Sequence, residues 1–148
     1  MPDVLTREGI RVDRRAADRW DAVRQCGAVL AELGATDDGY ALTMLERERS
    51  LSTYIGEGVA IPHGTDASRV LVRRTTIAVL QFPLGVDWSG HTVHSCVAIA
   101  ARGNEHLALL SALALLLMEP GDAARLRSSA DPDEIHRLLG SVSGDLAP

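Results

Sequence analysis

The stretch from Val93 to Ala101 (VHSCVAIAA) constrains the fold more than any other part of the chain. Its composition is that of a strand, and its second half is continuously apolar rather than alternating. A strand with one wet face alternates apolar and polar residues, so an unbroken apolar run implies burial on both faces. Helical patterns lie on either side of it in the sequence. Ala16, Trp20, Val23, Gly27 and Leu30 step by four and three and form one apolar stripe, which predicts a helix over Arg14 to Leu33 with a stop at Gly34. A second helix is expected from Tyr40 to about Arg49. Glu105 to Met118 reads as a long helix with Asn104 as its N-cap. Shorter ones follow over Ala123 to Ser128 and over Pro132 to Leu139, the last opened by Asp131 with proline in the first helical position. Val59-Ala60-Ile61 and Thr75 to Phe82 read as further strands, the latter stopping at Pro83, and Gly9 to Val12 as a short one. Strands with helices before and after them suggest a layered α/β or α+β sandwich.

At 148 residues the chain is read as a single domain, residues 1–148, with 141–148 (SVSGDLAP) a flexible tail. Its 15 basic and 20 acidic residues give a net charge of −5. That balance argues against a nucleic-acid binder, which needs a basic face to displace counterions from phosphates. Every basic residue is arginine. The absence of lysine excludes a Walker phosphate loop, a Schiff-base lysine and a kinase-type ATP site. The longest near-apolar run, Leu107 to Met118, is interrupted by Ser111 and falls short of the ~20 residues a membrane span needs. The first residues carry no apolar secretion core. A cytoplasmic protein is expected, with Cys26 and Cys96 as reduced core residues rather than a disulfide.

Two histidines have local settings suited to chemistry. In Val59-Ala60-Ile61-Pro62-His63-Gly64 an apolar strand ends at a proline, which fixes its own φ and keeps the preceding residue extended. His63 follows on that rigid support, and Gly64 leaves its approach open. A nucleophilic or ligating imidazole would be held in this way, and so would a histidine at an ordinary turn. His106 lies two residues after Asn104, in the first turn of the long helix, where free N–H groups and the positive dipole end disfavour imidazolium and attract anions. A solvated first-turn residue fits the same spacing. Arg47 and Arg49 precede the glycine-rich segment and carry the donor fork that suits phosphate. Yet Glu46-Arg47-Glu48-Arg49 also has the alternation of a solvated helix face. His91 and His94 stand three apart at the entry of a predicted strand, an odd offset that points them to opposite faces, which disfavours a metal site there. Gly56-x-Gly58 lacks the rest of a dinucleotide fingerprint.

The string Leu45 to Thr65, LERERSLSTYIGEGVAIPHGT, resembles the active-site segment of enzyme IIA domains of the bacterial phosphoenolpyruvate-dependent sugar phosphotransferase system, mannitol/fructose superfamily. Gln81-Phe82-Pro83-Leu84-Gly85-Val86 and Ala100-Ala101-Arg102-Gly103-Asn104-Glu105-His106-Leu107 resemble two more of its segments. The likeness runs from about Val23 to Leu139. The mannitol type looks nearest, through Thr53-Tyr54-Ile55-Gly56-Glu57 and the Arg102 to His106 joint, although Leu84 stands where that type is expected to be polar. The resemblance implies a mixed central β-sheet with helices on both faces. It implies that His63 accepts a phosphoryl group from the phosphocarrier HPr and passes it to a cysteine of enzyme IIB, so that the membrane component IIC is met only indirectly. His106 would stabilise the phosphoryl group and Arg47 would bind it. Neither transfer step needs a metal, and no cofactor is expected. Two other readings stand beside this one. A regulatory, nitrogen-type module of the same fold would signal through the state of His63, and a metal-dependent hydrolase would use His63, His91, His94 and His106 together.

Overall fold

The computed structural model describes residues 4–140 and has a five-stranded mixed sheet at its centre. Its strands are β1 (Ile10–Arg11), β2 (Tyr54–Gly56), β3 (Val59–Ala60), β4 (Thr76–Trp88) and β5 (His91–Ala100), in the order β1-β4-β5-β3-β2. β1 runs parallel to β4 and β3 parallel to β5, while the β4–β5 and β2–β3 pairs are antiparallel. The helices are α1 (Arg19–Glu32), α2 (Tyr40–Ser50), α3 (Glu105–Leu117), α4 (Pro120–Ser128) and α5 (Pro132–Leu138). The expected tail, 141–148, lies outside the described residues.

The apolar run of β5 is buried on both faces. Cys96, Ala98 and Ala100 belong to a core built with Val23, Cys26 and Leu30 of α1 and Met44 and Leu45 of α2. Val97 and Ile99 face the other way, into a core with Leu109 and Leu113 of α3, Leu126 of α4 and Ile135 of α5. Cys26 and Cys96 are free and buried, and burial pushes the Cys96 thiol up. Among the described residues no single helix is long and apolar enough to cross a membrane.

Three expectations need correction, and two elements had no signal in the sequence. α1 begins at Arg19, because the Asp18 side chain accepts the Asp21 N–H and caps the helix there. β4 does not stop at Pro83. The β4–β5 register shifts between Gln81 and Val86, so the exposed proline sits in a bulge where no ladder donor is required. The two strands then pair again as far as Trp88 and His91, across Ser89 and Gly90, both at positive φ. Asn104 makes no side-chain cap bond, and its carbonyl instead accepts the Leu107 N–H at 3.1 Å. Finally, Tyr54–Gly56 is a strand and Asp66–Leu71 a 3-10 helix, neither of which the periodicity indicated.

Candidate active site

His63 sits where β3 gives out. The Ile61 N–H donates to the Thr53 carbonyl at 2.9 Å, the Ile99 N–H donates to the Pro62 carbonyl at 2.9 Å, and His63 makes a parallel bridge to Ile99. Its backbone is therefore anchored near the carboxyl end of β5. The side chain is fixed as well: Nδ1 lies 2.7 Å from the Ile61 carbonyl. A carbonyl can only accept, so Nδ1 carries the proton and Nε2 keeps its lone pair. Burial pushes the imidazole below its ordinary 6.5, and Arg47 and His106 push the same way, against the Ile61 carbonyl and Glu48. The ring is thus neutral at neutral pH, and geometry assigns Nε2 as the nitrogen with the free lone pair.

Gly64 and Tyr40 fix the next peptide. The Tyr40 hydroxyl accepts the Gly64 N–H at 3.0 Å and donates to the Ile99 carbonyl at 3.0 Å. Burial pushes this phenol up, so it remains a donor. A cavity of about 50 Å³ opens at His63, lined by residues that include Tyr40, Arg47, Thr65, Ser68, Arg69 and His106. That is room for one or two water-sized groups and not for a sugar. His106 reaches it from the first turn of α3, and its Nδ1 is buried with no hydrogen-bond partner among the described residues. Arg47 reaches it from the last turn of α2, with Nη1 donating to the Leu51 carbonyl at 2.6 Å. Arg69 comes from the 3-10 helix and pairs with Asp66 at 3.2 Å.

The structure thus brings His63, His106 and Arg47 to one cavity and leaves the other histidines apart. His91 stacks on Tyr54, with ring centroids 4.4 Å apart. His94, also at the start of β5, contacts the Phe82 carbonyl through Nδ1 at 3.2 Å. His136 contacts the Leu5 carbonyl at 3.2 Å. The four-histidine hydrolase arrangement is therefore not assembled, and the described residues hold no group of three or more metal-ligating side chains. Gly56, Glu57 and Gly58, at φ 100°, 55° and 74°, form the left-handed turn between β2 and β3.

Three residues escaped the sequence reading. Tyr40 and Arg69 carry no local mark, because the chain reaches the cavity with them from separate elements. Glu48 read as part of a solvated face, but it is 1% exposed. A signal for it did exist: Tyr40, Met44 and Glu48 step by four, and the first two are buried.

Residues 3–142 match the model of a family described as phosphoenolpyruvate-dependent sugar phosphotransferase system, EIIA 2. The chain is similar to a multiphosphoryl transfer protein of Escherichia coli O157:H7, 39% identical over 136 residues. That alignment takes in 91% of this chain and 36% of the relative, so the chain spans little more than a third of that protein. It is also similar to the mannitol-specific phosphotransferase enzyme IIA component of Staphylococcus aureus (strain MRSA252), 35% identical over 139 residues, 94% of this chain and 96% of that protein. Of solved structures, IIA mannitol from Escherichia coli superposes with a TM-score of 0.84 at 33% identity, covering 90% of this chain and 97% of that one. The Escherichia coli complex of enzyme IIAMtl with phosphorylated enzyme IIBMtl gives 0.83 at 32% identity, covering 90% and 94%.

Proposed function

The chain belongs to the EIIA 2 family of the phosphoenolpyruvate-dependent sugar phosphotransferase system, and on that premise we propose that it is a phosphoryl carrier working through a phosphohistidine at His63. It takes the group from phospho-HPr and delivers it to a cysteine of its cognate enzyme IIB, in the cytoplasm, for uptake of mannitol or a related polyol or sugar. The observation that carries this reading is the hydrogen bond from His63 Nδ1 to the Ile61 carbonyl, which leaves Nε2 free to attack.

Transfer to an imidazole needs no general base when the attacking nitrogen already bears a lone pair. Nε2 forms a bond to phosphorus as the bond from phosphorus to the donor breaks, in line, through a loose transition state whose charge lies on the equatorial oxygens. Catalysis is then mostly positioning and charge stabilisation. Arg47 and Arg69 supply positive charge at the cavity. The orphaned ring nitrogen of His106 gains a partner when a phosphoryl oxygen arrives. In the second step the phosphorus–Nε2 bond breaks as a thiolate sulfur takes the group, and His63 returns to its neutral form. The exposed side chains of Val70 and Leu107, next in the chain to Arg69 and His106, give a protein partner apolar surface to cover.

The test is phosphoryl transfer from phosphoenolpyruvate through enzyme I and HPr, read by intact mass on the native chain, His63→Ala and His106→Ala. An acid-labile adduct lost in His63→Ala is expected. An adduct that survives His63→Ala would move the nucleophile elsewhere. An adduct that forms but passes to no enzyme IIB cysteine would favour the regulatory reading.

A further inference from the structure

Among the described residues Glu48 is the one buried carboxylate. An ionised group that deep is tolerated only when its oxygens are fully engaged, and these are. Oε1 accepts the Thr53 hydroxyl at 2.5 Å. Oε2 accepts the Thr53 N–H at 3.1 Å and the Trp88 indole N–H at 3.0 Å, with the Arg19 guanidinium 4.0 Å away. Those bonds tie α2 to the start of β2 and the end of β4.

The same bonds lead to the nucleophile. Thr53, clamped by Glu48 through both its N–H and its hydroxyl, offers its carbonyl to the Ile61 N–H at 2.9 Å. Ile61 in turn offers its carbonyl to His63 Nδ1 at 2.7 Å. Every donor in this series points toward the carboxylate: the imidazole N–H to Ile61, the Ile61 N–H to Thr53, the Thr53 N–H and O–H to Glu48. Thr53 and Ile61 join successive bonds through their own Cα atoms, so the series acts by position: each carbonyl is held where the next donor meets it. An acceptor-only side chain suits the far end, because three donors converge there.

We infer that Glu48 is a positioning residue for His63, holding through Thr53 and Ile61 the carbonyl that fixes the Nδ1–H tautomer and so keeps Nε2 as the attacking nitrogen. The inference rests on the reading of His63 as the phosphoryl acceptor. Glu48 sits one residue after Arg47, so a single helix carries the cavity's guanidinium on one side and the support of its nucleophile on the other.

The test is made on the unphosphorylated full chain, by imidazole ¹⁵N shifts and the titration of His63, with phosphoryl acceptance measured separately. The charges acting on His63 are those of Arg47, His106 and Glu48, and Tyr40, Asp66 and Arg69 also line its cavity. Glu48→Leu removes the acceptors, and both tautomers of His63 are expected, with phosphoryl acceptance slowed about 10-fold or more. Glu48→Gln can keep the bonds with the Thr53 hydroxyl reversed. It should largely restore the tautomer, while His63 titrates lower than in the native chain because a negative charge is gone. Leu30→Ala, a core truncation in α1, should lower the melting temperature and leave the tautomer unchanged. A cooperatively folding Glu48→Leu with native tautomer and native titration would overturn the inference. So would a Leu30→Ala that mixes the tautomers equally, since general loosening would then suffice. If Glu48→Leu does not fold, the titration of Glu48→Gln decides, and a native midpoint there overturns the inference. The tautomer and titration readouts use no phosphoryl donor, so failure of the native chain to be phosphorylated would count against the carrier reading alone.

Discussion

Gly64→Ala probes the tightest packing in the site. A Cβ at this position would meet Ser68 Oγ at 2.4 Å, Tyr40 Cε1 at 2.7 Å and Thr43 Oγ1 at 2.8 Å. None of these atoms is the loose end of a side chain. The Ser68 hydroxyl donates to the Thr65 carbonyl at 2.6 Å, and the Thr43 hydroxyl donates to the Tyr40 carbonyl at 2.7 Å. Tyr40 is held at its hydroxyl by Gly64 and Ile99. The methyl group must therefore push the His63–Gly64 backbone outward. Overpacking of this kind costs roughly 1–3 kcal/mol, and losing the Gly64 N–H bond to Tyr40 adds about 1 kcal/mol. A loss of roughly 2–4 kcal/mol in urea unfolding is expected, at unchanged m-value. Phosphoryl acceptance should fall by on the order of 100-fold, since His63 moves with its neighbour. The nearest clash can be relieved separately. Gly64→Ala with Ser68→Ala should recover about 1 kcal/mol relative to the sum of the single changes. A Gly64→Ala chain as stable and as active as the native one, or strict additivity with Ser68→Ala, would refute the steric account.

The remaining predictions concern charge, the Tyr40 clamp and the core. Because His63 is held below 6.5 when folded, the unfolded chain binds a proton that the folded chain refuses in the window between 6.5 and that lowered value. Stability should fall as pH drops through this window and level off below it, and His63→Gln should flatten that part of a urea-midpoint series. Phosphoryl acceptance should persist below pH 6.5 and decline only at the lowered midpoint, as a pH–rate profile would read. Arg69→Ala removes an exposed ion pair worth ~0–1 kcal/mol. Thermal melts should barely move, while acceptance slows on the order of 10-fold or more. Tyr40→Phe strands the Gly64 N–H and the Ile99 carbonyl, at a cost of about 2 kcal/mol by urea unfolding. Leu113→Ala opens a cavity under α3, with an expected loss of roughly 2–5 kcal/mol in the same assay.

Most of the architecture could be read from the chain because its signals are local and periodic. The unbroken apolar run of β5 required cover on both faces, and α1 with α2 on one side and α3 to α5 on the other provide it. The features that could not be read depend on partners distant in sequence. Pro83 ordinarily stops a strand, but here a register shift against β5 removes the need for its missing donor. Tyr54–Gly56 has too few residues to show a period, and becomes a strand because Tyr54 pairs with Ala60 across the left-handed turn. Asn104 has the chemistry of a cap, yet its backbone (φ −99°, ψ 9°) is already in a turn, and its carbonyl rather than its side chain serves the first helical N–H groups.

The site divides in the same way. His63 was visible because strand, proline, histidine and glycine are consecutive, and His106 because it follows a helix start. The residues that hold them belong to α2, the segment before β2 and the 3-10 helix, and their roles come only from the tertiary fold. Glu48 lies between these cases. In a helix each residue is turned by about 100° from the last, so four alternating charges cannot share one face. With Tyr40 and Met44 on the buried stripe, the next step of four falls on Glu48, while Arg47 is turned toward the cavity. Charge alternation along a sequence describes a solvated face only where no apolar stripe runs through it. Where one does, the charged residue on the stripe must find partners inside, and here those partners, Thr53 and Trp88, are the ones that connect α2 to the strands behind His63.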